Sequence, residues 1–178
     1  MRSVRGISIV DVLEATVVMS VALIPMLSMS SRGVQRLGVD FLCGCTSLAS
    51  VDLSSLHAVT VGDGFLCGCT SLTSVDLSPL QAVTSSGRSF LFRCTSLASV
   101  DLRSLHAVTK IDQLFLYGCT SLTTVDLSAM HAVTSIGRSF LCGCISLTSV
   151  DISSVHAVTS IADDFLATLY TATRAPVL

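Results

Sequence analysis

The sequence predicts an α/β-type repeat solenoid, in which short coils of the chain stack one upon another. Phenylalanine recurs at a nearly constant interval, and the stretches between successive phenylalanines are almost identical. The apolar residues within each stretch also hold fixed places. Self-similarity with a period of roughly 20–50 residues is typical of stacked-repeat architectures, so this period sets the interpretation of every other feature.

Five complete repeats begin at residues 41, 65, 90, 115 and 140, and the start of a sixth lies at residue 165. Their first residues are Phe41, Phe65, Phe90, Phe115, Phe140 and Phe165, at spacings of 24, 25, 25, 25 and 25. We number each repeat from its phenylalanine as position 1. The first repeat is one residue shorter in its last turn, which reads VGDG, so this turn is predicted to be a surface loop.

Each repeat is predicted to contain one short strand with one buried face. Position 8 is Leu and position 11 is Val in all five repeats, and position 13 is Leu in four of them and Ile152 in the fifth. The V-D-L segment therefore alternates apolar, polar and apolar side chains, which is the period of a half-buried strand. Twenty-five residues leave no room for a long helix as well, so short helical turns or loops are expected on the return path.

The repeats must stack to be stable. The few apolar side chains of one coil do not offset the entropy lost when about 25 residues become ordered. Stacked coils share their buried faces and pair their strands, so each coil is stabilised by its neighbours. Matching positions of successive repeats are therefore expected to lie directly above one another.

The residues that carry the pattern are Phe at position 1, Cys at 5, Leu at 8, Val at 11, Leu at 13 and a closing A-V-T-x-I-G. This pattern resembles the BspA-like leucine-rich-repeat family, whose units carry a similar F-x-x-C-x-x-L core and a V-T-x-I-G turn. The family usually has Pro after its strand, whereas this chain has Ser in four repeats and Arg103 in one.

The resemblance covers residues 41–166 and implies a right-handed, curved stack of coils with one parallel β-sheet. It also implies a non-enzymatic module for protein interaction or adhesion. A cell-surface or secreted location follows from the resemblance, with a cytoplasmic one as the alternative.

The two ends of the chain are predicted to be caps. Residues 1–40 are interpreted as a degenerate coil, because residues 7–12 fit L-x-x-V-D-L. The alternative for this segment is a cleaved secretory signal, which Asp11 and Glu14 disfavour. These two carboxylates also disfavour a membrane span, which needs about 20 apolar residues. After Phe165 the pattern decays, so residues 167–178 are predicted to form a C-terminal cap and tail.

The candidate binding face is the column of Asp residues at position 12. Each lies between two apolar positions and should face outward, flanked by hydroxyl side chains or by Arg103. Aligned carboxylates repel, so hydroxyl hydrogen bonds, Arg103, raised pKa values or bound cations are expected to relieve them. A protein or glycan partner is predicted here, and a hydrated structural ladder is the alternative. The predicted partner-binding residues are Asp52, Asp76, Asp101, Asp126, Asp151, Ser74, Ser99, Arg103, Thr124 and Ser149.

The eight cysteines also follow the repeat, five at position 5 and three at position 3. They are predicted to be buried thiols that pack as small hydrophobic side chains. Coils about 4.8 Å apart would also allow disulfides between matching positions. Four of these residues are close enough in the sequence to suggest a metal site, but the C-x-C spacing is not that of a usual zinc knuckle. These four are Cys43, Cys45, Cys67 and Cys69.

Position 17 is occupied by histidine in four repeats and by Gln81 in the other. Three consecutive imidazoles would be able to bind a transition metal or respond to acid pH. Gln81 in the same column favours a simple exposed polar side chain instead. No metal site and no cofactor is therefore predicted. The histidines are His57, His106, His131 and His156.

Catalysis and nucleic-acid binding are both disfavoured. Only 12% of the residues are charged, the net charge is −2 and no basic run is present. Ser, His and Asp recur with the repeat, no single site departs from the pattern, and no phosphate loop, H-E-x-x-H or G-x-S-x-G motif occurs. Two alternatives to a binding module stay open. They are a structural part of a longer or self-associating array and a thiol- or imidazole-bound metal protein.

Overall fold

The computed structural model describes residues 27–29, 35–54 and 59–162. Strands are short, and the coils are otherwise built from turns and extended segments. Two 3-10 turns directly follow the V-D-L segment, at Ser78–Leu80 and Arg103–Leu105. The strands are β1 (Leu27–Met29), β2 (Gln35–Leu37), β3 (Val59–Thr60), β4 (Ser99–Asp101), β5 (Lys110–Ile111), β6 (Thr124–Asp126), β7 (Ser135–Ile136) and β8 (Ser160–Ile161).

Equivalent residues of successive repeats pair in parallel, as the period predicts. Strands β4 and β6 pair with Val100 opposite Val125, and each pair of partners is 25 residues apart. Strands β5, β7 and β8 form a second parallel set with the register Ile111, Ile136, Ile161. The predicted stacking of matching positions is therefore found in both sets.

The prediction of one parallel sheet needs correction. In the residues that the structure describes, the strands form three sheets, ordered β1-β2-β3, β4-β6 and β5-β7-β8. A strand was predicted only in the V-D-L segment. The closing A-V-T-x-I segment forms strands as well, because it alternates in the same way: Lys110 is exposed and Ile111 is buried. The β1-β2 pair is antiparallel, in contrast to the repeats.

Columns of identical side chains form the core. The phenylalanines at position 1 are buried, and their rings stack with centroids 4.9–5.7 Å apart from Phe41 to Phe140. Such offset stacking adds to the free energy of burying the rings themselves. The Leu at position 8 and the Cys at position 5 form further buried columns beside them.

A leucine column at position 2 has an unusual backbone conformation. Leu66, Leu91 and their equivalents are buried, and their φ angles of 52–55° lie in the left-handed region that non-glycine residues rarely adopt. Each leucine N–H after the first donates to the carbonyl oxygen of the preceding coil's phenylalanine, at 2.9–3.0 Å. Packing and this hydrogen bond between coils therefore outweigh the local preference of the backbone. The column consists of Leu42, Leu66, Leu91, Leu116 and Leu141.

Candidate binding face

The position-12 aspartates line one exposed face, as the alternation in V-D-L predicts. We call these aspartates, with their neighbours at positions 10 and 14, the aspartate face. Each carboxylate accepts a hydrogen bond from the backbone N–H two residues further along, at 2.8–2.9 Å. This is the Asx-turn arrangement, in which the Asp side chain takes the place of a backbone carbonyl. Asp therefore recurs at position 12 partly because it shapes the turn after the strand.

These hydrogen bonds correct the expectation of raised pKa values. The side chain and backbone of the following Ser lower the pKa of Asp52 and Asp126, and those of Ser153 lower the pKa of Asp151. Hydrogen bonds to a carboxylate favour its charged form, and solvent exposure screens repulsion along the column. These three carboxylates are consequently ionised at neutral pH.

The register of β4 and β6 brings the predicted face residues together in the middle of the stack. Ser99 lies opposite Thr124, and Asp101 lies opposite Asp126. In the first two repeats the matching segments are held close by the backbone N–H of Thr73, which donates to the carbonyl oxygen of Ala49 at 3.2 Å. Ser74 and Ser149 are exposed on the flanks of this ladder.

Arg103 is the one position-14 side chain on the face that carries a positive charge. Its Nε lies 3.0 Å from both carboxylate oxygens of Asp101, and its Nη2 lies 2.5 Å from Oδ2. The Arg103 guanidinium holds the pKa of Asp101 at about 2. This exposed ion pair interrupts the negative charge of the column at its centre.

A shallow open groove of about 430 Å³ lies beside this ion pair. It brings together the two places where positions 14 and 17 depart from the repeat, because Arg103 replaces Ser and Gln81 replaces His. No singular site was predicted from the sequence, because the two substitutions are 22 residues apart along the chain. Stacking places them next to each other. The groove is lined by Gln81, Asp101, Arg103, Ser104 and His106.

The sequence matches the BspA-type leucine-rich-repeat region over residues 28–170, in six copies. The chain belongs to the BspA-type leucine-rich-repeat family. Among solved structures it is similar to a leucine-rich-repeat protein of T. pallidum, with 21% identity, a TM-score of 0.56 and 78% of each chain covered. That likeness supports the fold alone. A comparison with curated proteins finds no match.

Leucine-rich repeats of this family are generally protein-interaction modules and not enzymes. The family therefore agrees with the coarse functional prediction and leaves the partner open. Within the part of the chain that the structure describes, no helix has the length and apolar character needed to cross a membrane.

The position-5 cysteines of this BspA-type chain are buried thiols, as predicted. Four of them donate a weak S–H hydrogen bond to the carbonyl oxygen of the preceding coil's position-2 leucine, at 3.1–3.2 Å. Burial raises the pKa of the Cys69 and Cys94 thiols to about 12, so these thiols are unreactive at neutral pH. The column therefore has a packing role.

The position-3 cysteines differ from the buried-thiol prediction. Cys43 and Cys67 form a disulfide between the first two coils, and Cys142 is half-buried. Position 3 lies at the edge of the core, since its residues are only half-buried. In the third and fourth coils Phe92 and Tyr117 occupy it and stack with ring centroids 5.3 Å apart. Side chains in this column consequently meet each other at the rim of the stack and not in the core.

The position-17 column is exposed where the structure describes it, at Gln81, His106, His131 and His156; His57 lies outside the described residues. No three His, Cys, Asp or Glu side chains converge on a metal-binding geometry among residues 27–29, 35–54 and 59–162. The two predicted ends also lie mostly outside the described residues. The signal and degenerate-coil interpretations rest mainly on residues 1–26, and the predicted C-terminal cap lies within residues 163–178.

Proposed function

We propose that this chain is a non-enzymatic binding or adhesion module that recognises a protein or glycan partner through the aspartate face. The observation that carries the proposal is the alignment of five exposed carboxylates, each held by a backbone N–H at 2.8–2.9 Å. A surface whose polar groups are already held in place loses little conformational entropy on binding. Its charge also favours long-range attraction of a partner with positive groups.

Replacement of the flanking aspartates by Asn tests this proposal. Asn keeps the oxygen that accepts the turn hydrogen bond and removes only the charge. The variant Asp52→Asn, Asp76→Asn, Asp126→Asn, Asp151→Asn is screened against arrays of purified extracellular proteins and of glycans. Affinities are then measured by biolayer interferometry at two salt concentrations. We expect binding to weaken at least about tenfold and to lose most of its salt dependence.

Asp63→Asn is the matched control. Asp63 is exposed and accepts the backbone N–H of Arg88 at 2.8 Å, so the substitution makes the same chemical change outside the face. Its binding should equal that of the parent chain. The proposal is wrong if the four-fold variant binds every identified partner as tightly as the control does.

A second candidate function is structural, as one unit of a longer or self-associating array. It is favoured by the last described coil, in which Ile152 is 45% and Ile161 is 55% exposed. Ile161 lies in β8, whose described partner is β7 alone. Such a strand offers unpaired backbone groups to another chain. Light scattering over a concentration series should then show oligomers that Ile161→Lys converts to monomers, and a parent chain that stays monomeric throughout would exclude this function.

A further inference from the structure

The groove beside Arg103 brings together two departures from the repeat, one on the aspartate face and one next to it. Position 14 is Ser in four repeats and Arg103 in the third, and position 17 is His in four repeats and Gln81 in the second. Consecutive coils bring the two substitutions to the same groove. The groove is open to solvent along most of its boundary, so it suits an extended chain lying along the surface and not an enclosed small molecule.

The guanidinium of Arg103 is oriented before any ligand arrives. Its Nε contacts both oxygens of Asp101 and its Nη2 contacts Oδ2, while the Arg103 backbone N–H donates to Oδ1 at 2.9 Å. A guanidinium has five N–H groups, and this arrangement uses one edge of it. The other edge is left to donate to a ligand, and its position is set by Asp101 and the Asx turn.

The charges around the groove select the kind of ligand. Asp76 and Asp126 occupy position 12 in the coils on either side, so an anion meets negative charge on both flanks. A cation meets the guanidinium of Arg103 directly. A neutral ligand with many hydroxyl groups avoids both repulsions, because each hydroxyl both donates and accepts hydrogen bonds.

The side chains of the groove supply both kinds of partner for such a ligand. Arg103 donates, Asp101 accepts, and the Gln81 amide, Ser104 hydroxyl and His106 imidazole each carry a donor and an acceptor. We propose that this groove binds a neutral saccharide chain, with Arg103 and Gln81 as the residues that determine specificity. This inference rests on the proposed function: the ionised flanks of the aspartate face attract the positive groups of the partner, and the groove at its centre takes a neutral saccharide segment.

The chain itself offers the variants that test the site. Arg103→Ser and Gln81→His introduce the residues found at the same positions of other coils, so both variants should fold. Arg88→Ser is the matched control, because it removes the same charge from an exposed position outside the groove. The probe is an array of neutral, sialylated and sulfated oligosaccharides. The best neutral binder is then titrated into each variant by isothermal calorimetry.

We expect the parent chain to retain neutral oligosaccharides, and we expect Arg103→Ser to weaken the titrated binding at least tenfold. Gln81→His should weaken it several-fold, and Arg88→Ser should change it less than twofold. No binding of neutral oligosaccharides, equal binding by parent and Arg103→Ser, or binding of charged oligosaccharides alone would each overturn the inference.

The two proposals fail in distinguishable ways. If the four-fold Asn variant loses its partners while Arg103→Ser binds oligosaccharides like the parent, the aspartate face stands and the saccharide groove is wrong. If Arg103→Ser alone loses oligosaccharides and the four-fold Asn variant binds every partner normally, the groove stands and the wider face is wrong.

Discussion

The third and fifth coils carry the same repeat pattern and differ in how deeply two of its apolar positions are buried. Leu102 and Ile111 in the third coil are 0% exposed, whereas Ile152 and Ile161 at the same positions of the fifth are 45% and 55% exposed. The residues are equally apolar, so composition does not explain the difference. At positions 13 and 22 the third coil is covered by the coil that follows it, so the place of a coil in the stack decides the burial of these two positions.

The largest expected effect is on the free energy of unfolding, when the side chain at position 13 is truncated in each of these two coils. Leu102→Ala should lower the free energy of unfolding by about 2–5 kcal/mol, because it removes buried methyl groups and leaves a cavity. Ile152→Ala should cost less than about 1 kcal/mol, since the side chain is half exposed. Urea unfolding followed by circular dichroism measures both values. Equal losses would show that the fifth coil is covered as well as the third.

Two glycines provide the next comparison. Both have positive φ, 68° at Gly87 and 76° at Gly44, but a Cβ at Gly87 would lie 2.8 Å from the carbonyl carbon of Gly62. A Cβ at Gly44 would meet nothing within 4 Å. Gly44→Ala should therefore cost about 1–2 kcal/mol for its backbone conformation alone. Gly87→Ala should cost a further 1–3 kcal/mol or so for overpacking, measured by the same urea titrations. Equal costs would show that the coils can separate slightly at Gly87.

A smaller effect concerns acid titration, which should distinguish the carboxyl group of Asp101 in the third coil from that of Asp52 in the first. The pKa of Asp101 is about 2, below the roughly 3.9 of an unfolded chain. Its contribution to stability is therefore present above about pH 4 and is lost as the pH falls toward 2. In Arg103→Ser, the carboxyl ¹³C titration of Asp101 should move to higher pH while that of Asp52 stays unchanged. An unchanged Asp101 titration would mean that Arg103 does not hold this carboxylate in solution.

Thiol chemistry should distinguish the first two coils, which share a disulfide, from the rest of the chain. The chain has eight cysteines, and Cys43 and Cys67 are joined. Alkylation in denaturant without a reductant should modify six of them, and alkylation after reduction should modify all eight. Intact mass spectrometry counts the modifications. Eight modified cysteines without reductant would show that the disulfide does not form in the protein as purified.

The period predicted the columns of the core, because any residue that recurs every 25 positions must meet its own copies once the coils stack. The Phe column, the position-5 thiols and the outward Asp column were all found in this way. The second set of strands was missed although its alternation is visible in Lys110 and Ile111. Two residues are too few for a period-two pattern to be recognised without the structure.

The sequence alone also could not predict the groove or the backbone of the leucine column. Gln81 and Arg103 are 22 residues apart, and only the register of the stack makes them neighbours. Leu66 and Leu91 have left-handed φ angles that local preference argues against. Their N–H groups reach the preceding coil in that conformation, so a contact between coils explains it.

The repeat, the family and the residues of the core follow from the sequence, because they depend on a pattern that every coil carries. Tertiary structure alone decided which copies are covered, which cysteines are joined and where the two departures from the repeat meet. Those outcomes depend on contacts between coils, and coils of similar sequence receive different neighbours according to their place in the stack.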